Sequence, residues 1–213
     1  MRVIQQPGSK GSLKWIQRAI ATRPEVIHPV GIGPVRWVSP LEADDFAEYR
    51  DQEFLKVVGL PHLADNLATF WPRRGPQWDA LGVTAEGVVL VEAKAHLGEF
   101  KSPPSQAGAA SRAKIEAAFT RVQPAFGVVP RRDWMGDYYQ YANRLAFLAW
   151  LLSEGVEAHL LFVSFLNDME MRGPSSADEW RQAFAEADAF LGIEQPHALS
   201  AHIHHVFPDV SAL

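Results

Sequence analysis

The sequence predicts an α/β fold, a mixed central sheet flanked by helices, in a single domain over residues 1–213. Three observations predict it. Short apolar runs rich in β-branched and aromatic residues occur at 35–38, 67–71, 78–83, 88–95 and 158–166. Segments of helical period lie between and around them, at 12–22, 40–58, 105–121, 137–153 and 176–192. The run 158–166 is apolar on both faces, as a strand covered on both sides must be. With 47% hydrophobic and 21% charged residues in 213, one core of ordinary size is expected.

The elements follow in order. Residues 12–22 form a short amphipathic helix with Lys14 and Arg18 on one face. They belong to a basic extension, 1–34, in which Arg2, Lys10, Lys14, Arg18 and Arg23 all precede the first acid, Glu25. Ser39, Pro40 and Glu42 read as a capping box with proline at the first helical position, opening a helix that Gly59 and Pro61 stop. Its inward stripe is Phe46, Tyr49, Glu53, Val57 and Leu60, so Glu53 faces the core and Glu48 faces away. The core proper is expected over 40–166, with the helix 105–121 as an insertion, and 174–213 adds a C-terminal helix and tail. In that last segment Ser176 and Glu179 form a second capping box, Gly192 ends the helix, and 201–206 adds an edge strand.

Composition excludes several classes. No apolar stretch approaches the roughly 18 residues of a membrane span, and no secretory apolar core stands near the start, so a cytoplasmic protein is expected. The absence of cysteine removes disulfides and thiolate metal sites. A formal net charge of −5 argues against binding nucleic acid by overall charge alone.

The chemistry concentrates on one hairpin. In the strand 88–95, alternation points Glu92 and Lys94 to one face and Val89, Val91, Ala93 and Ala95 to the other. Thr84 to Gly87 read as a four-residue loop around a type I turn, which pairs Val83 with Val88 and is preferred to a three-residue loop, whose shifted register would put Asp79 on the wrong face. The same register sets Asp79 opposite Glu92, with Cβ atoms roughly 4.5–5.5 Å apart. Two carboxylates that close must share a proton or a cation. Hard oxygen donors suit Mg²⁺ or Mn²⁺. His202, His204 and His205 offer imidazoles on the last strand, but with no third ligand at a useful spacing they read as partly exposed strand histidines. Asp168 reads as a strand-end or turn residue.

Asp79, then Glu92-Ala93-Lys94 on the next strand, after a helix carrying an inward glutamate, resembles the PD-(D/E)XK, or restriction-endonuclease-like, nuclease superfamily. The family's proline stands here at Pro76 rather than directly before the aspartate. The resemblance implies an αβββαβ core and a nuclease that hydrolyses phosphodiesters of nucleic acid, DNA in the first place, with water activated by Mg²⁺ or Mn²⁺. It implies metal ligation by Asp79, Glu92 and the Ala93 backbone carbonyl, with Lys94 assisting the nucleophile. It implies Glu53 as the acid of the first helix and Gln140 as the glutamine of the helix after the third strand. Arg144 follows Gln140 by four residues on the same side. Arg73, Arg74, Arg144, Lys14 and Arg18 are the candidate contacts to nucleic acid, and a homodimer is compatible with cutting two strands. The rival readings are a catalytically inactive module of the same fold that binds nucleic acid or protein, and an enzyme acting on a nucleotide or small phosphoester.

Overall fold

A computed structural model describes all residues, Met1–Leu213. The chain forms β1 (Arg2–Val3), α1 (Gly11–Thr22), β2 (Arg36–Ser39), β3 (Glu48–Tyr49), α2 (Gln52–Val57), α3 (Ala64–Phe70), β4 (Ala80–Val83), β5 (Val88–Lys94), α4 (Ala109–Val122), α5 (Tyr139–Ser153), β6 (Ala158–Ser164), α6 (Ala177–Leu191) and β7 (Ile203–Val206). A five-stranded mixed sheet has the order β2-β4-β5-β6-β7. Strands β2, β4 and β5 are antiparallel, whereas β5, β6 and β7 run parallel. Strands β1 and β3 pair separately.

The two faces of the sheet bury different layers, as the pleat requires. Val88, Leu90, Leu160 and Phe162 face the larger cluster, with α4, α5 and α6. Val89, Val91, Ala93, Leu161 and Val163 face the smaller one, against Trp15, Ile16, Ala19 and Ile20 of α1. The β6 run is therefore apolar on both faces because helices cover both. The second capping box is formed, with Ser176 and Glu179 bonded reciprocally, and Gly192 closes α6 at φ 73°.

The hairpin register is the expected one: Val83 pairs with Val88 and Ala80 with Val91. Thr84 Oγ1 accepts from the backbone N–H of Gly87 at 2.9 Å and closes the turn. Gly87 also lets β6 approach, since a Cβ there would stand 2.0 Å from the Glu157 carbonyl oxygen.

Two expectations fail. Residues 67–71 are not a strand; α3 covers most of them, and its buried Leu67 and Phe70 are spaced as on one helical face. The helix expected over 40–58 is broken. Ser39 ends β2 and bonds the Ala47 carbonyl instead of capping. Residues 42–44 make one 3-10 turn, Asp45 and Phe46 sit at φ 53° and 49°, and Glu48–Tyr49 pair with the N-terminal strand before α2 begins. Left-handed residues reset the phase of a helical stripe, so the assignment of faces made for an unbroken helix is lost.

Candidate functional site

The ladder between β4 and β5 stops at Ala80, and Asp79 lies one residue beyond it. There its Oδ2 accepts from the backbone N–H of Ala93 at 2.7 Å. Ala93 thus meets the site through its N–H. Glu92, near the end of β5, is buried at 4% exposure. Lys94 Nζ donates to its Oε1 at 2.5 Å, and Arg144 Nε donates to its Oε2 at 2.5 Å. Each nitrogen of Arg144 makes one such bond, the others donating to the Gln77 carbonyl at 2.9 Å and to Asn143 Oδ1 at 2.8 Å. Its guanidinium lies over the Trp78 ring.

A third carboxylate belongs here, and it is not the expected one. Glu48 is buried and accepts from Gln5 at 3.0 Å and Gln77 at 2.5 Å. Burial, partly offset by those two amides, raises its pKa, and the charge of Glu92 raises it further. Glu53 instead pairs with Lys56 at 2.6 Å at the surface, and that bond lowers its pKa. The reversal follows from the broken helix. Its sequence signal was weak: a lone Glu-Tyr pair that becomes a strand only because Arg2–Val3 lies alongside.

Burial sets the electrostatics of the cluster. Asp79, half-buried as a residue with its carboxyl enclosed, is pushed up to about 8 by burial and by the neighbouring Glu92, against the opposing pull of Lys94. Burial would raise Glu92 as well, but Arg144 and Lys94 outweigh it and hold the group below the ordinary glutamate value. Burial would lower Lys94, yet Glu92 and Asp79 outweigh it and hold the ammonium charged. Ser164, paired with Lys94 across the β5–β6 ladder, carries a buried hydroxyl without a partner.

These shifts give a pH dependence. Folded Asp79 keeps its proton to about pH 8, whereas an unfolded aspartate releases it near ~3.9. Between those values the native state binds more protons, so stability is greatest at the acid end and falls as pH rises towards 8. Asp79→Asn removes that slope, and the melting temperature of the variant should gain on wild type steadily from about pH 5 to pH 8. A constant gap across that range would mean that the carboxyl is already ionised at neutral pH.

The other expected residues scatter. Gln140 is exposed on the first turn of α5, and its backbone N–H donates to Ser102 Oγ. It lines a cleft and does not touch the carboxylates; Arg144, one turn on, does. Arg74 lines the same cleft, of about 360 Å³, with Arg50, Arg144, Gln77 and Gln106. None of the residues lining it is acidic. Arg73 faces a different cavity, with Glu53 and Asp51. Lys14, 3.7 Å from Glu170, and the exposed Arg18 belong to α1 on the opposite layer of the sheet, so they do not extend the cleft. Asp168 is structural: it is buried and accepts from Trp15 Nε1 at 2.6 Å.

Three carboxylates and a lysine fit a hard divalent cation in donor type, because like charges enclosed together need a proton or a cation between them. The oxygens of Glu48, Asp79 and Glu92 do not all converge within 4.8 Å, and Glu92 is held by two cationic partners. No helix is long and apolar enough to cross a membrane. Comparison with models of protein families, with curated proteins and with solved structures found no match.

Proposed function

We propose that the chain is a metal-dependent nuclease of the PD-(D/E)XK type, cleaving phosphodiesters of nucleic acid, DNA in the first place. The observation that carries this reading is the enclosed Asp79–Glu92–Lys94 group with Glu48 behind it, next to a cleft whose charged side chains are all arginine. The strand arrangement supports it in part: α1 precedes β2, and after β3, α2 and α3 the antiparallel β4 and β5, two helices and the parallel β6 follow along the chain.

Asp79 and Glu92 would hold Mg²⁺ or Mn²⁺, with Glu48 adding negative charge behind them. When bound, the ion supplies charge neutralisation and lowers the pKa of water. The protein's own part is orientation and charge. Lys94, held protonated, stabilises negative charge on the attacking oxygen and is no general base. Arg50 has a buried Nε without a partner in the cleft, a donor suited to a phosphate oxygen. Arg144 fixes Glu92 and Trp78, and so positions rather than contacts substrate.

One observation favours a second reading, a non-cleaving module that binds nucleic acid. Both oxygens of Glu92 already have charged partners, so the cluster is electrically satisfied without an ion. Labelled double-stranded DNA, single-stranded DNA and RNA, each with Mg²⁺, Mn²⁺ or chelator, separate the two. Cleavage that requires the ion is expected, with DNA cut in preference to RNA. Glu48→Gln should lower it by ~10–100-fold, the scale of losing a group that supports metal ligands. Glu53→Gln should leave it unchanged. Binding without cleavage under every ion would establish the module instead.

A further inference from the structure

We propose that Glu157, His159 and His202 form a second cation site, at the opposite end of the sheet, that takes a zinc-type transition-metal ion. Neither the Asp79–Glu92–Lys94 cluster nor the arginine cleft takes part, so the proposal stands apart from the nuclease reading.

Topology makes the cluster. Glu157 immediately precedes β6, His159 is its second residue, and His202 ends the 3-10 turn Ser200–His202 that leads into β7. Parallel pairing of β6 with β7 lays these starts side by side, although more than forty residues separate them. That pairing supplies the third ligand that spacing along the chain alone does not. His159 sits level with Val89, on the α1 face. Three residues at about 3.3 Å each put it roughly 10 Å along β5 from Glu92, which faces the other layer. His205 turns to that other layer beside Phe162 and Phe184 and takes no part.

The geometry suits a tetrahedral ion. One ligand atom from each of the three residues falls within 4.8 Å of the other two, and no other trio of such side chains in the chain does so. Glu157 Oε1 is 3.3 Å from His159 Nε2 and 3.3 Å from His202 Nδ1. Zinc bonds of roughly 2.0–2.1 Å at tetrahedral angles set ligand atoms about 3.3–3.4 Å apart. The remaining nitrogen of His159 is 3.1 Å from His204 Nε2. A metal-bound imidazole is typically held this way, its second nitrogen donating to a neighbour that fixes ring and tautomer. His202 Nδ1 also lies 3.1 Å from the Ala158 carbonyl oxygen, a hydrogen-bond acceptor within reach of that nitrogen when it carries hydrogen. Imidazole with one carboxylate is a borderline donor set that favours zinc over magnesium. The three side chains are partly exposed, so the fourth position faces solvent and takes water.

An ion there would tie the C-terminal strand to the middle of the sheet. The test is Zn²⁺ titration by calorimetry on the full chain, with melting temperature and hydrogen exchange followed in parallel. Expected are one equivalent of Zn²⁺ bound in both wild type and Asp79→Asn, and at least tenfold weaker binding in His159→Gln and in His202→Gln. Zn²⁺ should raise the melting temperature and slow exchange over 200–206 in wild type but not in the histidine variants. Circular dichroism confirms that those variants fold, and Glu157→Gln gives an independent reading if one does not. Zinc binding unchanged in the histidine variants, or lost only with Asp79→Asn, would overturn the second site, as would no binding at all.

Discussion

Glu92→Ala is expected to destabilise the metal-free protein by ~3–5 kcal/mol, the scale of breaking a buried ion pair by removing one partner. For a domain of this size ~1 kcal/mol moves the melting temperature by roughly 2–4 °C, so a fall of roughly 6–20 °C should be seen. The loss would come from two orphaned cations more than from one missing contact. Lys94 and Arg144 both direct a donor at this carboxylate, and all three side chains are shielded from water. Glu92→Gln keeps an acceptor for Arg144 and should lose less. Replacing Glu92, Lys94 and Arg144 together by methionine should recover most of the stability, because a buried ionic cluster exchanged for packed apolar groups is often neutral. Chemical denaturation of the four proteins would measure this. A single variant within ~1 kcal/mol of wild type would place Glu92 in solvent-screened surroundings and remove the electrostatic account of the site.

What could be read from the sequence follows the range of the interactions responsible. The β4–β5 register was legible because Thr84 and Gly87 fix the turn locally, and alternation carries that register three residues further to Ala80 and Val91, one position short of Asp79 and Glu92. The buried β6 and the α6 caps were legible for the same reason. The identity of the third acid was not. Glu48 and Glu53 differ by five positions, and a helix unbroken from Ser39 would have put Glu53 inward. Nothing local signals that Asp45, Phe46 and Asp51 take positive φ, or that Arg2–Val3 comes alongside Glu48–Tyr49. Arg144 was read as a contact for nucleic acid because it follows Gln140 on one helix face. That Glu92 waits for it across the core depends on how α5 sits on the sheet, which periodicity does not determine. His159 stayed invisible as a partner of His202 because the pairing of β6 with β7 is long-range and parallel. The apolar run 67–71 misled in the other direction: its length and aromatic content fit a strand, and packing made it helix.

Lys94→Ala should reduce ion-dependent cleavage by ~10²–10⁴-fold while leaving Mn²⁺ bound as tightly as in wild type or more so. The two halves come from the same charge. Lys94 sits by Glu92 and Asp79 and is held protonated by them, so in the free protein it occupies the place of a counter-ion. A divalent cation recruited by those carboxylates competes with it, and removing the ammonium lowers that competition. An ammonium that keeps its proton cannot serve as a base at neutral pH. Its contribution is to lie beside the attacking oxygen and favour the negative charge that develops there, a gain present in the transition state and small in the ground state. Loss of rate without loss of ion is the signature of that role, and calorimetry on the same preparation as the cleavage assay separates the two. Arg144→Ala should behave differently: Glu92 loses the partner that fixes it, so stability and ion affinity change together with rate. Equal cleavage by wild type and Lys94→Ala would detach the lysine from the chemistry. A rate loss matched by a loss of Mn²⁺ affinity would make the lysine a residue that holds the carboxylates in place for the ion, with no part of its own in the transition state.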